Sequence, residues 1–190
     1  MKSNFMLFLG LSFLLLSSCK NNTDTQGRLF LKSLTTSSGK FSLSPMSVSD
    51  SASRLAYIPD TFSYKNQPFT GAIAQYEYDT ILSISGFMKN GLMDSVWTFY
   101  FTSGGVKMSG NMKDGIAVGI WKAYYGYDKV SVQKDFGEQG FLLARKEFYD
   151  NGQLKNEQNV NAPGYLRERA ISYDKKGNIT SIYVKDSIKE

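Results

Sequence analysis

The chain contains no histidine, and its single cysteine, Cys19, stands at the end of a leading apolar run. Ser-His-Asp and Cys-His catalysis and histidine-ligated metals are thereby excluded, and one cysteine permits neither an internal disulfide nor a cysteine-based zinc site. No block of five or six like charges occurs, so the net charge of +5, carried mostly by scattered lysines, reads as a solvated surface. A phosphate-binding loop is missing too, because Ser103-Gly104-Gly105 is not followed by Gly-Lys-Ser/Thr or by a helical pattern. The carboxylates Asp128, Asp135, Glu138, Glu147 and Asp150 show no spacing that singles out an acid and a base. The expectation is a chain with no catalytic residue, no cofactor, no metal and no nucleic-acid partner.

Long apolar runs are equally scarce. Lys2 precedes about a dozen apolar positions from Phe5 to Leu16, short of the roughly 20 that a spanning helix needs, so residues 1–18 read as an export signal that is removed. The segment Leu16-Ser17-Ser18-Cys19 resembles the bacterial lipobox, a small-residue stretch ending in a cysteine that is diacylglycerylated and becomes the mature N-terminus. That resemblance implies Cys19 as the lipid attachment point and a membrane partner reached through the acyl chains, each buried methylene contributing about 0.8 kcal/mol. The protein is then expected in the cell envelope. Lys20, where an aspartate would signal inner-membrane retention, favours the outer membrane.

Of the 190 residues, loss of the first 18 leaves 172, enough for one ordinary domain and a tether. Residues 19–61 are read as that lipidated, flexible Ser/Thr-rich tether. Lys20 to Gly27 is polar with nothing to bury, and residues 33–53 are rich in serine. Within them Phe41-Ser42-Leu43-Ser44 alternates, as an edge strand or an extended linker would.

From 62 to 184 the chain repeats, with a polar tail at 185–190. Steps of 24 residues collect Tyr76, Tyr100, Tyr124 and Phe148 in one column and Leu82, Val106, Val130 and Leu154 in another; a step of 25 then adds Tyr173 and Ile179. Trp97 aligns with Trp121, Gly86 with Gly110, Gly71 with Gly119, and Lys65-Asn66-Gln67 with Lys89-Asn90-Gly91 and Lys113-Asp114-Gly115. Each unit is written for two strands. Trp97 to Phe101 is rich in aromatic and β-favouring residues, Ser103-Gly104-Gly105 breaks it, and Val106 to Met112 alternates again. Asp150-Asn151-Gly152 has the form of a three-residue loop closed by a glycine at positive φ, which sets Tyr149 opposite Gln153 and Phe148 opposite Leu154. The same reasoning pairs Tyr100 with Val106 and Tyr173 with Ile179. Such pairs contribute roughly 0.2–1 kcal/mol each, and an isolated hairpin is marginal, so consecutive hairpins must lie side by side.

Tyr64 to Gly71, Phe87 to Gly91 with Trp97 and Tyr100, Lys113-Asp114-Gly115 with Gly119-Ile120-Trp121 and Tyr124-Tyr125, and Phe148 to Leu154 together resemble the MORN-repeat variant. They are also similar to proteins called toxin-antitoxin antitoxins of the YwqK type. The resemblance implies an all-β fold, an elongated antiparallel sheet of consecutive β-hairpin repeats with a period of about 24. Asp128 stands where a turn glycine is expected, Ser95 replaces a glycine, and Arg145 and Ala170 replace the tryptophan, so the last two units are degenerate.

Strand alternation turns Trp97, Phe99 and Phe101 one way and Thr98 and Tyr100 the other, while Trp121 and Tyr125 share a face opposite Tyr124. One account makes these aromatics the ladder that holds the sheet together. The other makes Trp97, Phe101, Trp121, Tyr125 and Tyr149 a groove for a protein partner. Function is accordingly expected to be that of a non-catalytic, membrane-anchored protein-binding or scaffold module. The alternatives are an antitoxin or immunity protein and a glycan- or lipid-headgroup-binding module. Oligomeric state is left open.

Overall fold

A computed structural model describes residues 22–36, 61–126, 128–159 and 166–187. The export signal, Cys19, Lys20 and the Phe41–Ser44 alternation lie outside the described residues. Two short strands, β1 (Leu29–Phe30) and β2 (Thr35–Thr36), flank a single 3-10 turn at Leu31–Ser33. Next come β3 (Phe62–Tyr64), β4 (Gln67–Pro68), β5 (Gly71–Glu77), β6 (Ile81–Lys89), β7 (Leu92–Tyr100), β8 (Val106–Lys113) and β9 (Ile116–Tyr124). The series closes with β10 (Val130–Phe136), β11 (Leu142–Phe148), β12 (Leu154–Asn159), β13 (Leu166–Tyr173) and β14 (Ile179–Ser187). From β5 to β14 the strands lie in chain order, each antiparallel to the next; β1 joins the open side of β5 in parallel, and β2, β3 and β4 make a small separate sheet. The fold is all-β, with no α-helix among the described residues.

The two periodic columns become cross-strand partners. Tyr76 pairs with Leu82, Tyr100 with Val106, Tyr124 with Val130, Phe148 with Leu154 and Tyr173 with Ile179. Beyond each pair a three-residue loop turns the chain. The amides of Phe101, Tyr125, Tyr149 and Asp174 donate to the carbonyls of Gly105, Lys129, Gln153 and Asn178. The third loop residue is a glycine at φ 84° to 88° in three of them, and Asp128, at φ 61°, fills the same place.

One residue past each aliphatic partner, the register skips: Ser83, Lys107, Ser131, Lys155 and Thr180 are bulged out of the pairing, again at steps of 24, 24, 24 and 25. A bulge at one position in every hairpin bends each in the same sense, so the curvature of the sheet repeats with the sequence.

At the other end of the hairpins, Asn90-Gly91 and Asp114-Gly115 form two-residue turns with both φ angles positive. Their glycine amides donate back to the preceding unit, Gly91 to the carbonyl of Phe69 and Gly115 to that of Met93. The first turn falls one residue earlier than the alignment of Lys65-Asn66-Gln67 implies. With glutamine rather than glycine at 67, the positive φ angles sit at Lys65 and Asn66, and Gln67 pairs with Tyr64.

The expected tether is folded in part. Leu29, Leu31 and Leu34 are buried with Phe62, Ile73 and Met88 and cover the β5 end of the sheet. The polar stretch ahead of them is pinned as well: Asp24 Oδ1 accepts from the amides of Gln26 and Arg28, and the amide of Phe30 donates to the carbonyl of Asn22. Burial of three leucines is worth roughly 1.5–3 kcal/mol each, enough to order a segment whose neighbours are polar.

Candidate functional site

The five aromatics proposed for a groove occupy two different settings. Trp97 and Trp121 are wholly buried. Each follows a positive-φ residue by two, Ser95 or Gly119, both at φ 61°. At these points three residues of one strand, 95–97 or 119–121, oppose a single glycine of the neighbour, Gly86 or Gly110. The wide bulge turns Val96 and Ile120 out to solvent and lays the indole over the glycine. Each indole N–H is satisfied by backbone, Trp97 Nε1 donating to the carbonyls of Phe87 and Asp94 and Trp121 Nε1 to that of Asn111 at 2.9 Å. Neither tryptophan offers surface to a partner in this fold.

Phe101, Tyr125 and Tyr149 lie instead at the bases of successive three-residue loops, one per repeat. The Tyr125 hydroxyl donates to the carbonyl of Phe148 at 2.7 Å, and that of Tyr149 to the carbonyl of Tyr173 at 2.9 Å. Each tyrosine thus clamps its own loop to the next hairpin. Asn151 does the same with the carbonyl of Lys175, and Lys175 pairs with Asp150. The hydrogen bond to Asp150 from Lys175 holds its carboxyl below the usual range.

The change of character from the third to the fourth hairpin has a visible cause. Direct pairing places Trp121 beside Lys134, Lys134 beside Arg145, Arg145 beside Gln158, and Gln158 beside Ala170. Lysine thus takes the glycine position and arginine the tryptophan position. Arg145 Nη2 donates to Glu147 Oε1 at 2.5 Å, and Asn156 Nδ2 to Glu147 Oε2 at 3.0 Å. An indole nested on a glycine gives way to a polar network, and the contiguous apolar core ends at Phe136 and Leu142.

Two further features lie outside the predicted residues. At the β5 end a cavity of about 600 Å³ is lined by Phe30, Leu31, Leu34, Ala74 and Tyr76, with the exposed Lys32–Asp79 pair beside it. Next to it Asp24 Oδ2 accepts from Arg28 Nε at 2.7 Å and from the Tyr76 hydroxyl at 2.9 Å, and Arg28 Nη2 donates to that hydroxyl. Burial disfavours the Asp24 carboxylate, but the amide and guanidinium of Arg28, the Tyr76 hydroxyl and the Gln26 amide outweigh it and hold its pKa at about 2. The signal in the sequence was the Leu29-Phe30-Leu31 triplet after Gly27.

The second feature is the opposite edge. Among the described residues no strand pairs with the outer side of β14, and Ile179, Ile182, Tyr183 and Val184 each leave about half or more of their surface to solvent. Ile182 and Val184 lie on one face of this strand, and Tyr183, between Ser181 and Lys185, on the other. Its signal in the sequence was Ile182-Tyr183-Val184, three β-favouring residues without the polar alternation of a half-solvated strand.

No protein-family model matches this chain, and neither the curated proteins nor the solved structures hold a match to it.

Proposed function

We propose that the chain is a non-catalytic, envelope-located protein-binding module, a hairpin-repeat sheet of MORN-like character tethered to the membrane through lipid on Cys19. The observation that carries this reading is β14: an edge strand whose outer side pairs with no strand among the described residues and which has four exposed apolar side chains, the feature by which sheets recruit another chain. The contact site is accordingly β14 rather than the tryptophans. Glycan stacking is the weaker reading, since both indoles are buried and the Tyr125 and Tyr149 hydroxyls are engaged by backbone.

The test is affinity capture of the full-length lipoprotein from its own envelope, with wild type and Ile182→Lys compared. The expected result is a defined partner lost in the variant while the β-sheet circular dichroism signal is kept. A partner retained by Ile182→Lys would refute β14 as the contact site, and a partner toxic when made alone would identify the antitoxin case. Labelled palmitate should be incorporated by the wild type and not by Cys19→Ser.

A further inference from the structure

The two ends of the sheet are finished differently. At the β5 end, β1 adds a strand, and Leu29, Leu31, Leu34 and Phe62 cover the core. At the other end β14 is the last strand of the sheet among the described residues, nine residues long, with no proline and no charge from Ile179 to Val184. Stacked repeats need a polar cap at each end, and exposed edges are usually blunted by charge, proline or a covering segment. Here the charges, Lys185 and Asp186, come only past the apolar stretch, and the bulge at Thr180 comes before Ile182-Tyr183-Val184.

The geometry points to a second copy of this chain as the occupant of that edge. The two β14 strands run antiparallel about a twofold axis through Tyr183, and the sheets join into one continuous sheet. This rests on β14 being the contact strand of the proposed function and names its partner.

The register follows from the faces. Ala170 pairs with Tyr183, Ile171 with Ile182 and Arg169 with Val184, so Tyr183 lies on one face and Ile182 and Val184 on the other. A twofold axis perpendicular to the sheet keeps each face continuous across the junction, so only residues of the same face can be partners. Centring on Tyr183 sets Tyr183 against its own copy, Ile182 against Val184 twice, and Lys185 against Ser181. Ile182, Tyr183 and Val184 all meet apolar residues, Ile179 falls opposite Ser187 and Thr180 opposite Asp186, and the two lysines stay apart. Centring on Ile182 instead sets Val184 against Thr180 and Ile179 against Lys185. The sequence of the edge is therefore self-complementary in one register, as an isologous interface requires. On one face the row Ile171–Ile182 continues into Val184 of the second copy, covering the side chains left half-exposed in one chain alone.

Cysteine scanning in the full-length chain, expressed in its own cells and oxidised in place, tests this. Residues facing each other across an antiparallel pair have Cα atoms about 4.5–5.5 Å apart, within the reach of a disulfide. Tyr183→Cys is expected to give a cross-linked dimer on a non-reducing gel. Ser181→Cys, offset from its own copy by about 13 Å at roughly 3.3 Å per residue, is expected to give none. Adding Ile182→Lys to Tyr183→Cys should reduce the dimer at least tenfold. The wild type, whose one cysteine is Cys19, sets the background.

Absence of the Tyr183→Cys dimer, or equal dimer from Ser181→Cys, overturns the proposal. A Tyr183→Cys adduct with a different protein overturns self-pairing while leaving β14 as a protein-binding edge. Failure of Ile182→Lys to affect either the dimer or partner capture would sink the proposed function itself.

Discussion

Trp121 lies flat over Gly110: a Cβ built on that glycine would stand 2.1 Å from Cδ2 of the indole. Gly86 stands in the same relation to Trp97, at 2.4 Å. Neither glycine has a positive φ, so what they supply is room. Gly110→Ala should therefore destabilise the protein by about 3 kcal/mol, the upper end for overpacking, because the obstacle is a buried ring held by a hydrogen bond. Trp121→Ala should cost about 3–5 kcal/mol. In the Trp121→Ala background, Gly110→Ala should cost under about 1 kcal/mol, since the clash has gone. Urea unfolding of the four species measures the coupling, and additive effects would contradict the nesting.

Ser95 is the one residue of its column at φ 61° that carries a side chain, the equivalent Gly119 having the same φ. Left-handed backbone costs a side-chain-bearing residue about 1–2 kcal/mol, offset in part by the greater freedom of glycine in the unfolded chain. Ser95→Gly should raise stability by about 0.5–1 kcal/mol. Gly119→Ala should lower it by about 1 kcal/mol; a Cβ there meets nothing within 4 Å, so the effect is purely conformational. Chemical denaturation midpoints that move the other way would place the strain elsewhere.

The hairpins were legible because pairing depends on what sequence displays, namely a spacing and a loop. Phe148 opposite Leu154 follows from Asp150-Asn151-Gly152 by counting, and the structure has that pair and that loop. The bulges left no trace of this kind. Their extra residues are Ser83, Lys107, Ser131, Lys155 and Thr180, of which none needs a positive φ and only Ser83 is buried, its hydroxyl donating to the carbonyl of Gln75, so the register rather than the residue type reveals them. Burial of the tryptophans was half-written. Gly86 with Gly110 and Trp97 with Trp121 stood out as columns, yet that one column seats the other depends on a three-against-one bulge that alternation does not foresee. Residues 28–34 were passed over because a short apolar run beside serines and a polar leader resembles linker; its leucines are ordered by the core they cover, which is distant in sequence.

The loop tyrosines give a third expectation. Tyr125 and Tyr149 each close one inter-hairpin hydrogen bond, and phenylalanine preserves the ring while removing the donor. Each substitution should lower stability by about 0.5–1.5 kcal/mol. The two should differ in where they act. Amide exchange should quicken around residues 148–153 in Tyr125→Phe and around 173–178 in Tyr149→Phe, because each hydroxyl holds the hairpin after its own. Uniform exchange changes in both variants would mean that the clamps are not local.

The β5 end should respond to acid through Asp24. Its pKa in the folded chain is about 2, below the ordinary 3.8, so the folded state binds the proton less readily than the unfolded chain does. The stability this contributes is therefore fully present above about pH 5, begins to fade as pH falls through the unfolded value, and is lost on passing below about 2. A difference of this size corresponds to about 1–2 kcal/mol once solvent screening at the chain's edge is allowed for. Asp24→Asn keeps an acceptor for the amides of Gln26 and Arg28 but removes the charge that Arg28 and Tyr76 face. Its unfolding free energy should sit about 1–2 kcal/mol below wild type at pH 7, and the gap should narrow steadily between pH 4 and pH 2 as the wild type loses its advantage. Arg28→Leu should lower stability in the same pH range, and Tyr76→Phe, which keeps the edge contact with Phe30, should do so by less. Equal sensitivity of wild type and Asp24→Asn to acid would show that this carboxylate does not anchor the cap.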